Sequence, residues 1–279
     1  MLGGLLAFSA QSKPLPAFAQ ASNEWTTKGY SVSRFLENVC ATVWEQPKTE
    51  IHIHHTWIPS HKHYNGEKSI VAMRNFHLSQ GYIDIAQHVT IAPDGEVWDG
   101  RPWNIAPASA KPRDGKIFNH AGVFMIEVLG DFDLGNDRLE GAQLEATLQS
   151  VGFLQEFFYQ VDITTNPHVG KTKQTVSRSY QRQQPGIRFH NEMDPKSCPG
   201  TSISKSILDA ALKRERKLVS GSVKKLFVEA NKARFLGGHR EGQRLDADKL
   251  RVRKTEQFGP EYHNPNFESR YLDELKKLQ

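Results

Sequence analysis

The sequence predicts an α/β protein, with a central mixed β-sheet flanked by helices and a basic, partly helical C-terminal extension. Three observations predict it. Short β-prone runs alternate with segments of helical period over residues 48–212. One run, AGVFMIEVLGDF at 121–132, is apolar almost throughout, as a strand buried on both faces requires. DIAQHVTIAPDGEVWDG, from 84, reads as strand, PDG turn and strand, and so adds a hairpin.

The chain has 279 residues, enough for one sizeable core plus appendages. Hydrophobic residues make up 38% of it, a globular composition, and no apolar run approaches the roughly 18–20 residues that a membrane span needs. The two cysteines, Cys40 and Cys198, exclude a disulfide framework. The net charge of +5 is unevenly placed: residues 211–279 hold 17 Lys/Arg against 10 Asp/Glu, and the rest of the chain is slightly acidic.

In chain order, residues 1–22 combine the apolar stretch LGGLLAF with the small residues of PAFAQA. The expectation is an export signal lacking its basic start, or else a disordered arm. The first predicts a periplasmic or secreted protein, the second a cytoplasmic one. Within residues 23–47, SVSRFLENVCATVW carries Phe35, Leu36, Val39 and Val43 at helical spacing behind a serine N-cap. Residues 50–57 follow as a strand. A helix from about Ser69 presents Ile70, Met73, Phe76 and His77 on one face, and Gly81 caps it. After the hairpin and the 121–132 strand comes a long helix over 138–160, with Leu144, Leu148, Val151, Phe153, Leu154 and Phe158 on its apolar side. IRFH at 187–190 is a short strand, and a helix runs from about Thr201 to Leu218. The extension is placed at 213–279.

Two stretches carry chemistry. EIHIHHTW puts three histidines into a strand whose isoleucines alternate with them. An imidazole on a buried strand face costs free energy unless something binds it, which makes His54 or its neighbour a candidate ligand. FHNEMDPKSCPG at 189–200 supplies His190 at a strand end and Cys198 eight residues later. Two histidines from separate strands and one thiolate are three zinc ligands of the right types, and three leave a fourth position open, as in catalytic sites.

The combination resembles the family of peptidoglycan recognition proteins and type-2 N-acetylmuramoyl-L-alanine amidases. Its pieces here are HHT at 54–56, DIAQHVTIAPDGEVWDGRPWN at 84–104 and HNEMDPKSCPG at 190–200, and the resemblance covers roughly residues 48–212. It implies one zinc ion per chain on His54, His190 and Cys198, with the first histidine of the HH pair as the ligand. It implies hydrolysis of the amide between N-acetylmuramic acid and L-alanine. Lys196 matches the lysine of the phage-lysozyme-type members and is the candidate to stabilise the oxyanion. Glu127 aligns with a glutamate of the buried central strand in another branch, which makes it the candidate proton shuttle. The alternative for Glu127 is an ion pair with Arg188 or Lys196. By the same resemblance, Trp57, His61, Trp98, Arg101 and Asn104 line a groove for the muramyl-peptide. The tryptophans would stack on sugars and Arg101 would pair with a stem-peptide carboxylate.

One departure stands out. Where many catalytic members carry a tyrosine, this chain has Gln87, which cannot ionise. That favours a non-catalytic peptidoglycan-binding module, whereas Cys198, typically absent from binding-only members, favours the enzyme. A metal-dependent nuclease is disfavoured because nuclease metals prefer oxygen ligands, so no nucleic acid is expected as a partner. The basic extension suits an anionic cell-wall polymer.

Overall fold

The computed structural model describes residues 27–108, 120–166, 171–176 and 183–232, together with 273, 276 and 277 near the C-terminus. The arm or signal expected at 1–22 lies outside the described residues, as does most of the extension beyond 232. In chain order the elements are β1 (Gly29–Tyr30), α1 (Val32–Ala41), β2 (Glu50–His55), α2 (Glu67–Ser79), β3 (Val89–Ile91), β4 (Val97–Asp99), β5 (Val123–Val128) and α3 (Gly141–Gln160). β6 (Val161–Asn166), β7 (Lys171–Val176), β8 (Gly186–Phe189) and α4 (Lys205–Ala230) complete them.

Six strands form one sheet in the order β1-β4-β3-β5-β2-β8. β3, β5, β2 and β8 run parallel, while β4 is antiparallel to both β3 and β1. The sheet is therefore mixed, as the hairpin predicts. β5 and β2 lie in its middle, which accounts for their apolar sequences. Among the described residues no helix is long and apolar enough to cross a membrane.

Alternation along β2 and β5 sorts side chains between two faces. Ile51, Ile53, Phe124, Ile126 and Val128 enter the main core beneath α1, α3 and α4. His52, His54, Met125 and Glu127 take the opposite face, where α2 packs Met73 and Phe76 over the β3–β4 end with Trp98. Local signals explain the helix ends. Ser31 caps α1 by accepting from the Arg34 amide, and Gly81, at φ 88°, closes α2 in the left-handed conformation that suits glycine.

α4 differs from the expectation. The boundary placed at residue 212 falls inside this helix, which continues to Ala230. Leu208, Leu212, Val223 and Phe227 all reach the core. α3 is held between the sheet and α4, so its second half is buried all round, from Ser150 to Phe158. Gly152 permits that approach: a Cβ there would stand 3.1 Å from the Glu215 Cγ of α4. The β6–β7 hairpin is not among the predicted elements, although VDITTN carries the β-branched residues that favour a strand.

Candidate metal centre

The parallel ladder aligns one row of side chains across four strands. Thr90 of β3 pairs with Glu127 of β5, and Glu127 pairs with His54 of β2. Phe189 of β8 pairs with Ile53, which brings His190, the next residue, beside His54 at a ring-centroid separation of 4.6 Å. After His190 the chain makes a single 3-10 turn and loops back, and Cys198 meets the same spot: its Sγ lies 3.6 Å from His54 Nδ1 and accepts from the His55 amide. The site thus sits at the carboxyl ends of the parallel strands.

His54, His190 and Cys198 are all buried, and each offers a ligand atom within 4.8 Å of the others. Three observations fit a metal. A tetrahedral zinc with Zn–S near 2.3 Å and Zn–N near 2.05 Å places sulfur and nitrogen about 3.5 Å apart, close to the separation found here. Burial holds the His54 imidazole well below its usual pKa and lowers His190 as well, so both rings are in the neutral, ligating form. His190 Nε2 is 3.1 Å from Asp194 Oδ2, which fixes the ring and leaves Nδ1 for an ion. Cys198 is the costly member: burial first, and then the nearby Glu127 charge, raise its thiol well above the ordinary value. A bound dication would reverse that preference.

The two histidines of the HH pair part company by period-two alternation. His55 faces away from the trio, stands near Phe132 and accepts the Phe132 amide at Nδ1, so its role in the fold is structural. Glu127 lies half-buried beside the trio, and burial alone raises its carboxyl to about 8. It makes no ion pair among the described residues with either Arg188 or Lys196, and Arg188 pairs with Glu50 at 2.9 Å. Lys196, in the loop before Cys198, is close enough for its charge to depress both His54 and His190.

The expected groove residues divide. Trp57 lies two residues past the end of β2, is 47% exposed and has φ 56°, the one positive value among the described non-glycine residues. His61 packs edge-on against Phe132, and its amide donates to Asp137 Oδ2. Gln143 gives both its amide hydrogens to the Ile91 and Leu129 carbonyls, so its Oε1 must accept from His61 Nε2 at 2.9 Å. The other three are corrections. Arg101 is 1% exposed and spends its guanidinium on the carbonyls of Ile85 and Ala106, so it cannot reach a ligand carboxylate. Trp98 is buried under α2, with Nε1 donating to the Tyr64 hydroxyl, so its face is not open to a sugar. Asn104 clamps the segment that enters β2, donating to Val43 O and accepting from Glu45 N, whereas His54 lies at the exit of that strand. A burial requirement is hard to distinguish from a binding one in sequence, because both call for aromatic and guanidinium groups.

No family model matches the chain, and no curated protein matches it. The chain resembles peptidoglycan recognition proteins and N-acetylmuramoyl-L-alanine amidase endolysins. A mutant of Drosophila PGRP-LB in complex with tracheal cytotoxin is 21% identical, with 60% of this chain and 83% of that one covered at a TM-score of 0.42. The endolysin amidase LysCS from Clostridium intestinale URNW is 18% identical, over 62% and 91% of the two chains, at 0.41. PGRP-SA of Apis mellifera is 18% identical, over 58% and 81%, at 0.38. These likenesses are of general layout, and what the site can do is read from its own residues.

Gln87 is fully buried; its Nε2 donates to Thr90 Oγ1 at 2.9 Å, and its Oε1 has no partner among the described residues. It therefore stands behind Thr90, the neighbour of Glu127 in the row. The sequence carries no signal for Asp194 as the partner of His190, since that contact exists only once the loop after β8 is folded.

Proposed function

We propose that the chain is a zinc-dependent hydrolase of the amide between N-acetylmuramic acid and L-alanine in peptidoglycan. The observation that carries this reading is the buried His54–His190–Cys198 trio with Glu127 in register beside it. The motif resemblance supplies the substrate. His54 and His190, neutral, and Cys198, as thiolate, would hold the ion, with Asp194 orienting His190. When bound there, zinc would polarise the substrate carbonyl and lower the pKa of a water to about 7.

The chain's own groups do the rest. Glu127 takes the proton from the attacking water as its oxygen bonds to the carbonyl carbon. It returns that proton to the alanine nitrogen as the C–N bond breaks. A carboxyl near 8 in the free protein would be drawn down toward neutrality by a cation in the trio, which suits both directions of transfer. Lys196 offsets the oxyanion of the tetrahedral intermediate. By the motif resemblance, Trp57 and His61 would contact the muramyl-peptide.

A second reading, a non-catalytic module that binds peptidoglycan, is favoured by Gln87 alone. One paired measurement separates the two: bound zinc per chain, and release of L-alanine amino termini from purified peptidoglycan, for the wild type and Cys198→Ala. One zinc with release, both lost in the variant, supports the amidase; zinc without release on any wall preparation supports recognition.

A further inference from the structure

The outward face of α4 takes no part in the metal centre or the core. Lys213, Arg214, Lys217, Lys224 and Lys225 are all exposed there, and their side chains make no ion pair or hydrogen bond among the described residues. Helical spacing places Lys213, Lys217 and Lys224 in one row and Arg214, Gly221 and Lys225 in the next. Of the carboxylates of the helix, Glu215 packs on α3 at Gly152, Asp209 is half-buried one turn before Lys213, and Glu229, eleven residues after Leu218, has its charge met by Lys232.

Apolar side chains share this cationic face. Ile207 is 72% exposed, Leu218 67% and Val228 38%. Ile207, Leu218 and Lys225 follow at intervals of eleven and seven residues, so they project in nearly one direction. Gly221 lies between the two cation groups in the helix interior, where glycine costs helix stability, and a Cβ there would touch nothing, so internal packing does not require it. The inner face of α4 packs with α1 and α3 on the Ile53 side of the sheet, opposite His54 and Glu127. The cations therefore point away from the metal centre.

We propose that the outer face of α4 docks the protein on an anionic lipid surface, with the metal centre left facing the aqueous side. A dissolved polyanion would account for five unpaired cations but would leave Ile207 and Leu218 in water. A lipid surface accommodates both, with headgroup phosphates on the cations and the apolar side chains below them. Long lysine stems allow this, since their methylenes can lie in the interface while the ammonium stays wet. Attachment of this kind is peripheral, in keeping with the absence of a membrane-crossing helix among the described residues.

The test is flotation of the full chain with vesicles of 30% phosphatidylglycerol in phosphatidylcholine, against phosphatidylcholine alone and soluble polyphosphate. The wild type is compared with Lys213→Glu/Lys217→Glu/Lys224→Glu and with Leu218→Asp, and far-UV circular dichroism verifies that each is folded. The expected result is binding to the anionic vesicles only, weakened at least tenfold by the triple variant, by Leu218→Asp and by raising salt from 50 to 300 mM, on the order of the loss of several interfacial charges. Absence of vesicle binding would overturn the proposal. So would binding that both variants retain, which would belong to another part of the chain. Equal capture by polyphosphate with Leu218→Asp silent would make the face a polyanion site instead.

Discussion

His54 and Glu127 are direct partners in the register of the parallel β2–β5 ladder, side by side on the same face of the sheet. A one-residue slip would exchange them for Ile53 or His55 and for Ile126 or Val128, and the site would be lost. The isoleucines and valines on the other face hold that register, because a slip would also carry them out of the core.

The first prediction concerns Glu127. Glu127→Gln keeps the shape and removes the proton exchange. Zinc content is expected to stay at the wild-type level while amide cleavage falls by about 10²–10⁴-fold. Stoichiometry from metal analysis and release of L-alanine amino termini check this together. Cleavage within tenfold of wild type would remove Glu127 from the mechanism.

The HH pair should divide by face. His54→Ala is expected to abolish stoichiometric zinc. His55→Ala should retain it but lose roughly 1–3 kcal/mol of stability, because the Phe132 amide loses its buried acceptor. Zinc titration and urea unfolding of both variants would expose the opposite assignment directly.

Asp194 orients His190 without facing the ion itself. Asp194→Asn should weaken zinc affinity by roughly 10–100-fold, as loss of such a partner typically does, with secondary structure unchanged. Competition against a chromogenic chelator reads that affinity apart from any turnover; an unchanged value would mean that the contact is incidental.

Acid stability has an expected sign. Burial lowers His77 from 6.5 to about 3, and its Nδ1 accepts the Ala86 amide only when unprotonated. Between pH 6.5 and 3 the unfolded chain carries a proton on this ring that the folded chain does not. Stability therefore falls as pH drops through that window, by roughly 1.4 kcal/mol per pH unit for this group. His77→Gln is expected to flatten the slope by about one proton in urea unfolding followed from pH 7 to 4. A slope identical to wild type would show that the ring titrates freely.

What the sequence determined by itself was local and periodic. The alternation in EIHIHH announced two different faces, and the apolar 121–132 run announced a central strand. The spacing of Ile70, Met73, Phe76 and His77 gave the inner face of α2. The donor types at 54, 190 and 198 were legible as a candidate metal set because one histidine in a strand, one at a strand end and a cysteine are the types that zinc takes. The reach of α4 was also written in its spacing, through Val219, Val223 and Phe227, but SGS at 220–222 resembled the end of a helix.

Tertiary structure decided the rest, because it depends on which groups meet across long sequence separations. Arg101, Trp98 and Asn104 read as ligand contacts in one dimension and prove to be internal clamps in three, since only folding brings the carbonyls and aromatic neighbours that occupy them. Asp194 is only four residues from His190, yet it meets that ring only because the chain turns back at once after β8. The pairing of His54 with Glu127 required the register of two strands more than seventy residues apart. The isolated residues carry donor chemistry, whereas proximity and a low dielectric come only from the packed core, and those set the protonation of Glu127, His54 and Cys198.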